Sequence, residues 1–137
     1  MLQNQQLFFV QQFLLKQMVK IRPATHADII SLYGKRHHRS MRAIVATIDE
    51  VPKGIAGLYY DKDKLVAFSD FDEELRAYPF LIYKAAIKIR DMIKTAPCTV
   101  YAVAHPDKPG ADKLLKHIGF EYVGKCREGD IYQWMQE

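Results

Sequence analysis

The stretch AFSDFDEELRAYPFLIYKAAIKIRDMI, residues 67–93, decides how this chain is read. It opens as a strand, passes through a polar turn and becomes a long amphipathic helix. Strand-to-helix turns often carry a glycine-rich loop that holds phosphate, because the first N–H groups of a helix have no partner within it. Here the turn carries Arg76, Ala77, Tyr78 and Pro79, and no glycine. Pro79 suits the first turn of a helix. Beyond it apolar residues recur at Phe80, Ile82 or Tyr83, Ala86, Ile87, Ile89 and Ile93, with Lys84, Lys88 and Arg90 on the other face.

Upstream, residues 19–22 read as a short strand ended by Pro23. Thr25 is an N-cap for the next helix, with Asp28 three residues on, and Gly34 stops that helix. A basic loop follows: Lys35, Arg36, His37, His38, Arg39 and Arg42. Residues 41–71 then alternate as three strands of a meander, with turns at Pro52-Lys53-Gly54 and at Asp61 to Asp63. Downstream of residue 93, the run CTVYAVA reads as a buried strand, and HPDKPG as a loop. ADKLLKHIGF is a short helix ended by Gly119, and the rest is a hairpin that turns near REGD. The order is β-α-β-β-β-α-β-α-β-β. An antiparallel meander, a crossover helix and a further strand predict one α/β (α+β) domain on a mixed, mostly antiparallel sheet.

A chain of 137 residues, 49% hydrophobic and 26% charged, suits one domain with a filled core. The net charge of +4 suits an anionic ligand such as a nucleotide or coenzyme. Two cysteines, Cys98 and Cys126, are too few for a disulfide framework and read as reduced and intracellular. Neither they nor the scattered histidines have zinc-ligand spacing, so no metal is expected. Residues 1–17 hold an apolar run broken by Gln11 and Gln12, too short to span a bilayer and without the marks of a signal peptide. We read 1–17 as an N-terminal extension, helical in character, and 18–137 as the domain.

Taken together, IRPATHADI, GIAGLYY and LLKHIGFEYVG in this order resemble the GNAT superfamily of N-acetyltransferases. The likeness runs from about Val19 to Trp134. Residues 39–79 resemble more narrowly the small GNAT-like proteins encoded by phages and prophages. The resemblance implies a wedge between the fourth and fifth strands, in which acetyl-CoA lies along the fourth-strand backbone at Phe68 and Ser69. It also implies a pyrophosphate loop, [QR]-x-x-G-x-[GA], at the start of the next helix. This chain reads Arg76-Ala77-Tyr78-Pro79-Phe80-Leu81 there. Arg76 keeps the first position, but Pro79, which has no N–H, and Leu81 stand where glycines are expected. Ala77, Tyr78, Phe80 and Leu81 still offer N–H groups.

Acetyl transfer to an amine needs a base and donors for the thioester oxygen. Asp70, beside Ser69 and Asp72 at the end of the fourth strand, is the candidate base; acids also end strands for no chemical reason. The tyrosine that the family places four residues before its Gly-Phe is Leu115 here, and leucine donates no proton. His105, after the fifth strand, is the substitute. Trp134 is read as closing the core. Two readings stay open. One is an acetyl-CoA-dependent N-acetyltransferase acting on a small-molecule or protein amine, cytoplasmic in a host cell and encoded by a phage or prophage. The other is a catalytically degenerate GNAT-like module that binds a virion or host protein. The wedge separates them, open for the enzyme and filled by Tyr78 or Phe80 for the module. A homodimer suits the sheet edges; the basic loop lacks the interleaved aromatics of a nucleic-acid binder.

Overall fold

Alternating apolar residues pair into one seven-stranded sheet in the computed structural model, which describes residues 18–34, 41–108 and 110–135. The elements are β1 (Val19–Pro23), α1 (His26–Tyr33), β2 (Met41–Ile48), β3 (Val51–Asp61) and β4 (Lys64–Phe71). A 3-10 turn (Glu73–Ala77) leads to α2 (Pro79–Lys94), β5 (Val100–Ala104), α3 (Ala111–Ile118), β6 (Phe120–Cys126) and β7 (Gly129–Trp134). The sheet order is β1-β2-β3-β4-β5-β7-β6. Only β4 and β5 run parallel; every other pair is antiparallel. This is the expected element order and the expected single α+β domain. Residues 1–17 and the loop at 35–40 lie outside the described residues, so the reading of the extension finds no counterpart there.

Successive side chains of a strand point to opposite faces. One face carries Ile44, Ala56, Leu58, Leu65 and Ala102, packed under Ala85, Ala86, Ile89 and Ile93 of α2. The other carries Val45 and Ile55, both buried, in register with each other, on the side that carries Asp70 and Phe68. The α2 helix therefore sits with Leu81, Ala85, Ile89 and Ile93 inward, an i, i+4 series. Ala86, Ile89 and Ile93 are buried as expected, and Leu81 and Ala85 join them; the correction is at Phe80 and Tyr83, which are 55% and 52% exposed.

The β2–β3 turn is also corrected. It is made by Asp49 and Glu50, at φ 54° and 67°, and not by Pro52-Lys53-Gly54. Two left-handed residues give the turn whose twist matches the strands, and aspartate tolerates that conformation. Pro52 and Lys53 belong to β3. The register passes from Ala46↔Gly54 to Thr47↔Pro52, so Lys53 is an extra residue. β4 reaches only as far as Gly54, so this proline-bearing end has no strand on that side among the described residues.

The α1 cap is as expected and has one more partner. Thr25 Oγ1 accepts the Asp28 N–H at 3.3 Å, and Asp28 Oδ2 accepts the Thr25 N–H at 2.8 Å. Arg22 of β1 adds two hydrogen bonds to the same carboxylate, at 2.6 and 2.8 Å. At the other end of the chain, Gly119 closes α3 with φ 122°. A side chain there would strike the Trp134 ring at 2.7 Å. Trp134 packs edge-on to Phe120, with ring centres 5.5 Å apart, against the main core.

Candidate functional site

The site begins with a mismatch of strand lengths. β4 has eight residues, but β5 meets only three of them: Leu65, Val66 and Ala67 pair with Val100, Tyr101 and Ala102. Beyond Ala67 the two strands part. Residues 68–71 stay paired to β3 on one side, while their other edge has no strand partner among the described residues. Such a crevice, at the carboxyl ends of neighbouring parallel strands, is where sheets of this kind accept ligands.

A cavity of about 580 Å³ fills the parting. It is lined from both faces of the sheet. On the helix face it meets Ala67, Phe71, Ala86, Ile89, Ala102 and Leu115. On the opposite face it meets Tyr33, Tyr59, Phe68, Asp70 and Glu128, with His105 and Lys108 beside the end of β5. Phe68 and Asp70 alternate with Ala67, Ser69 and Phe71 along β4, so the strand itself divides the apolar part from the polar part. Tyr59 and Phe68 meet across β3 and β4 with their rings tilted, their centres 5.5 Å apart. Neither Tyr78 nor Phe80 lines the cavity.

The polar end is a small network. Asp70 Oδ1 lies 3.6 Å from Lys108 Nζ. The Tyr33 hydroxyl donates to Asp70 from across the sheet face; burial first, then the Asp70 charge and this hydrogen bond, push the phenol up to about 12. Tyr33 therefore stays protonated as a donor at neutral pH. The structure thus brings Asp70 and His105 onto one cavity and adds Tyr33, Lys108 and Glu128, which sequence reading passed over. In the sequence Tyr33 is the residue before the Gly34 helix stop, and Lys108 lies within the HPDKPG loop. Their signal was position: one at the last residue before a helix stop, the other just past a parallel strand.

The turn before α2 is less open. Arg76 is two-thirds exposed, with Glu73 at 3.9 Å. The Tyr78 N–H donates to Leu75 O at 2.9 Å, and the Leu81 N–H donates to Tyr78 O at 3.0 Å. The Leu81 side chain points into a small core with Ala46 and Leu75, away from any ligand at the turn. Pro79 has no N–H. Phe80, at the second position of α2, is too near the helix start for its N–H to reach an intrahelical carbonyl. Among the described residues no group of three or more His, Cys, Asp or Glu is placed to hold a metal ion. No described helix is long and apolar enough to cross a membrane.

No family model matches this sequence, and no curated protein matches it by sequence. Solved structures do match its fold. A GNAT-family acetyltransferase from Staphylococcus aureus superposes with a TM-score of 0.56 at 11% identity, over 85% of this chain and 98% of that one. The aminoglycoside acetyltransferase AAC(6′)-Ib, solved with paromomycin and acetyl-CoA, gives 0.58 at 16%, over 84% and 91%. PH1933 from Pyrococcus horikoshii gives 0.58 at 17% over 69% of this chain, which spans 65% of that protein's length. With a single parallel joint, a wedge beside it and these superpositions, the chain has the fold of the GNAT acetyltransferases.

Proposed function

We propose that this protein is an N-acetyltransferase that takes an acetyl group from acetyl-CoA to an amine. The observation that carries the reading is the open wedge between β4 and β5, with a cavity that runs from an apolar side to a carboxylate and a histidine. In this reading the free edge of β4 at Phe68 and Ser69 holds the coenzyme arm. Arg76 and the N–H group of Phe80, at the start of α2, meet its phosphates, with Ala77 beside them at the end of the 3-10 turn. Tyr78 and Leu81 contribute through position, since their N–H groups are already bonded. Asp70 takes the proton of the acceptor amine, held in place by the Tyr33 hydroxyl. His105, at the mouth of the cavity, passes protons to solvent. The co-substrate supplies an activated thioester. The neighbour solved with an aminoglycoside supports an amine acceptor, small molecule or protein.

One observation favours a second reading. The expected phosphate loop has lost donors to Pro79 and to the internal bonds of Tyr78 and Leu81. A GNAT-like module that binds a virion or host protein, encoded by a phage, would tolerate that loss. Calorimetric titration with acetyl-CoA, with CoA as control, separates the two. The enzyme reading expects dissociation constants in the micromolar range and weakening of about tenfold, or 1.4 kcal/mol, in Arg76→Ala. Absence of binding at millimolar acetyl-CoA overturns it.

A further inference from the structure

An acetyltransferase must bring an amine to its base, and in this structure one of the chain's own amines is already there. Lys108 Nζ is 3.6 Å from Asp70 Oδ1, and both line the wedge cavity. Lys108 is the single lysine among the described residues that line it. The turn after β5 holds it in place: the Lys108 N–H donates to His105 O at 3.1 Å, and the Ala111 N–H donates to Lys108 O at 3.3 Å. Both side chains are about half exposed, so the ion pair itself is worth little and the amine can leave the carboxylate and return.

We propose that Lys108 is an acetyl acceptor, and that the protein modifies itself at this position. The inference rests on the acetyltransferase reading. The Lys108 ammonium gives one proton to Asp70, which releases it to solvent. The neutral Nζ attacks the thioester carbonyl carbon, an N–C bond forms and the C–S bond breaks. The remaining excess proton of the nitrogen goes to the departing sulfur, which leaves as the thiol of CoA. No oxidant or further reactant is needed. Because amine and base share one cavity, the step is intramolecular in the acceptor, and local positioning replaces the encounter with a free amine. The product is a neutral amide. It no longer attracts Asp70, so the carboxylate is released for an external amine. Self-acetylation thus removes a built-in occupant of the acceptor end.

The full-length protein is incubated with acetyl-CoA, and the added acetyl mass is followed by intact mass spectrometry and peptide mapping. One acetyl group is expected on Lys108, at a rate per molecule independent of protein concentration and rising with pH. Lys108→Arg removes this label, and Lys113→Arg, one turn into α3, leaves it. Asp70→Asn slows labelling of Lys108 by about 100-fold, within the range for loss of a general base. Slow reaction at other exposed lysines stays unchanged in that variant. Label spread evenly over surface lysines, or labelling of Lys108 that is indifferent to Asp70→Asn, overturns the proposal. Calorimetric binding of acetyl-CoA without label on Lys108 overturns it too and leaves the acetyltransferase reading standing. No binding and no label overturn both.

Discussion

Asp28 ties the start of α1 to β1, and α1 ends at Tyr33, which touches the candidate base. Its carboxylate is almost fully buried. The Arg22 guanidinium holds it down at about 2, against the opposing effect of burial and with help from the Thr25 N–H and hydroxyl. A carboxyl that is depressed in the folded state stabilises the protein above its unfolded value of about 3.9. That contribution is lost as pH falls toward 2. Asp28→Asn is therefore expected to lower stability by about 2 kcal/mol at pH 6, through a weakened cap and the lost charged hydrogen bonds. Thermal melts of both proteins from pH 6 to pH 2.5 should converge at the acid end; a constant gap would rule out this ion pair as the cause. At this scale the sequence was legible where partners lie close together. Thr25 and Asp28 are three residues apart and announce a cap. Arg22 and Asp28 meet only because β1 and α1 pack side by side. The same holds for the site: Asp70 and His105 could be read from strand ends, while Tyr33 and Lys108 reach Asp70 through the fold.

α2 was legible as a helix with Ala86, Ile89 and Ile93 inward, but the places of Phe80, Leu81, Tyr83 and Ala85 were not. Phe80 and Tyr83 have the hydropathy of core residues, and Ala85 is too small to weigh in a periodicity. Packing against the sheet chose the small residue, because α2 lies close over Ala56 and Leu58. The aromatics were left outside, where Tyr83 meets His117 of α3 with ring centres 6.4 Å apart. Ile89→Ala is expected to cost about 2–4 kcal/mol as a buried large-to-small change. Phe80→Ala is expected to stay within about 0.5 kcal/mol. Urea unfolding of the two variants checks the assignment, and equal losses would mean that the helix is turned otherwise. The β2–β3 turn failed for a related reason. Its residues, Asp49 and Glu50, lack glycine, while Pro52 and Gly54 beside them carry the usual turn signals and sit in a bulged strand end.

Over the whole molecule, element order was the legible part, since a meander, a crossover and a final hairpin leave few ways to build one sheet. The length of the β4–β5 joint was not legible. It depends on where two strands far apart in sequence stop touching, and nothing local encodes that. The cavity offers a direct test of its use. Ala86 is buried on α2 and lines the cavity. Ala86→Leu is expected to fold, because there is room for it, and to weaken acetyl-CoA binding by about tenfold or more. Unchanged affinity with an unchanged melt would move the ligand elsewhere. The three-pair joint has a mechanical consequence as well. It divides the sheet into two leaves, β1 to β4 and β5 to β6, which share one short seam and the α2 crossover. Such a seam is the natural axis for breathing motions. A molecule lodged across it would act as a clasp, so occupancy should be felt as slower amide exchange at Val66 and Ala102, in the seam itself, before any change appears at the outer strands.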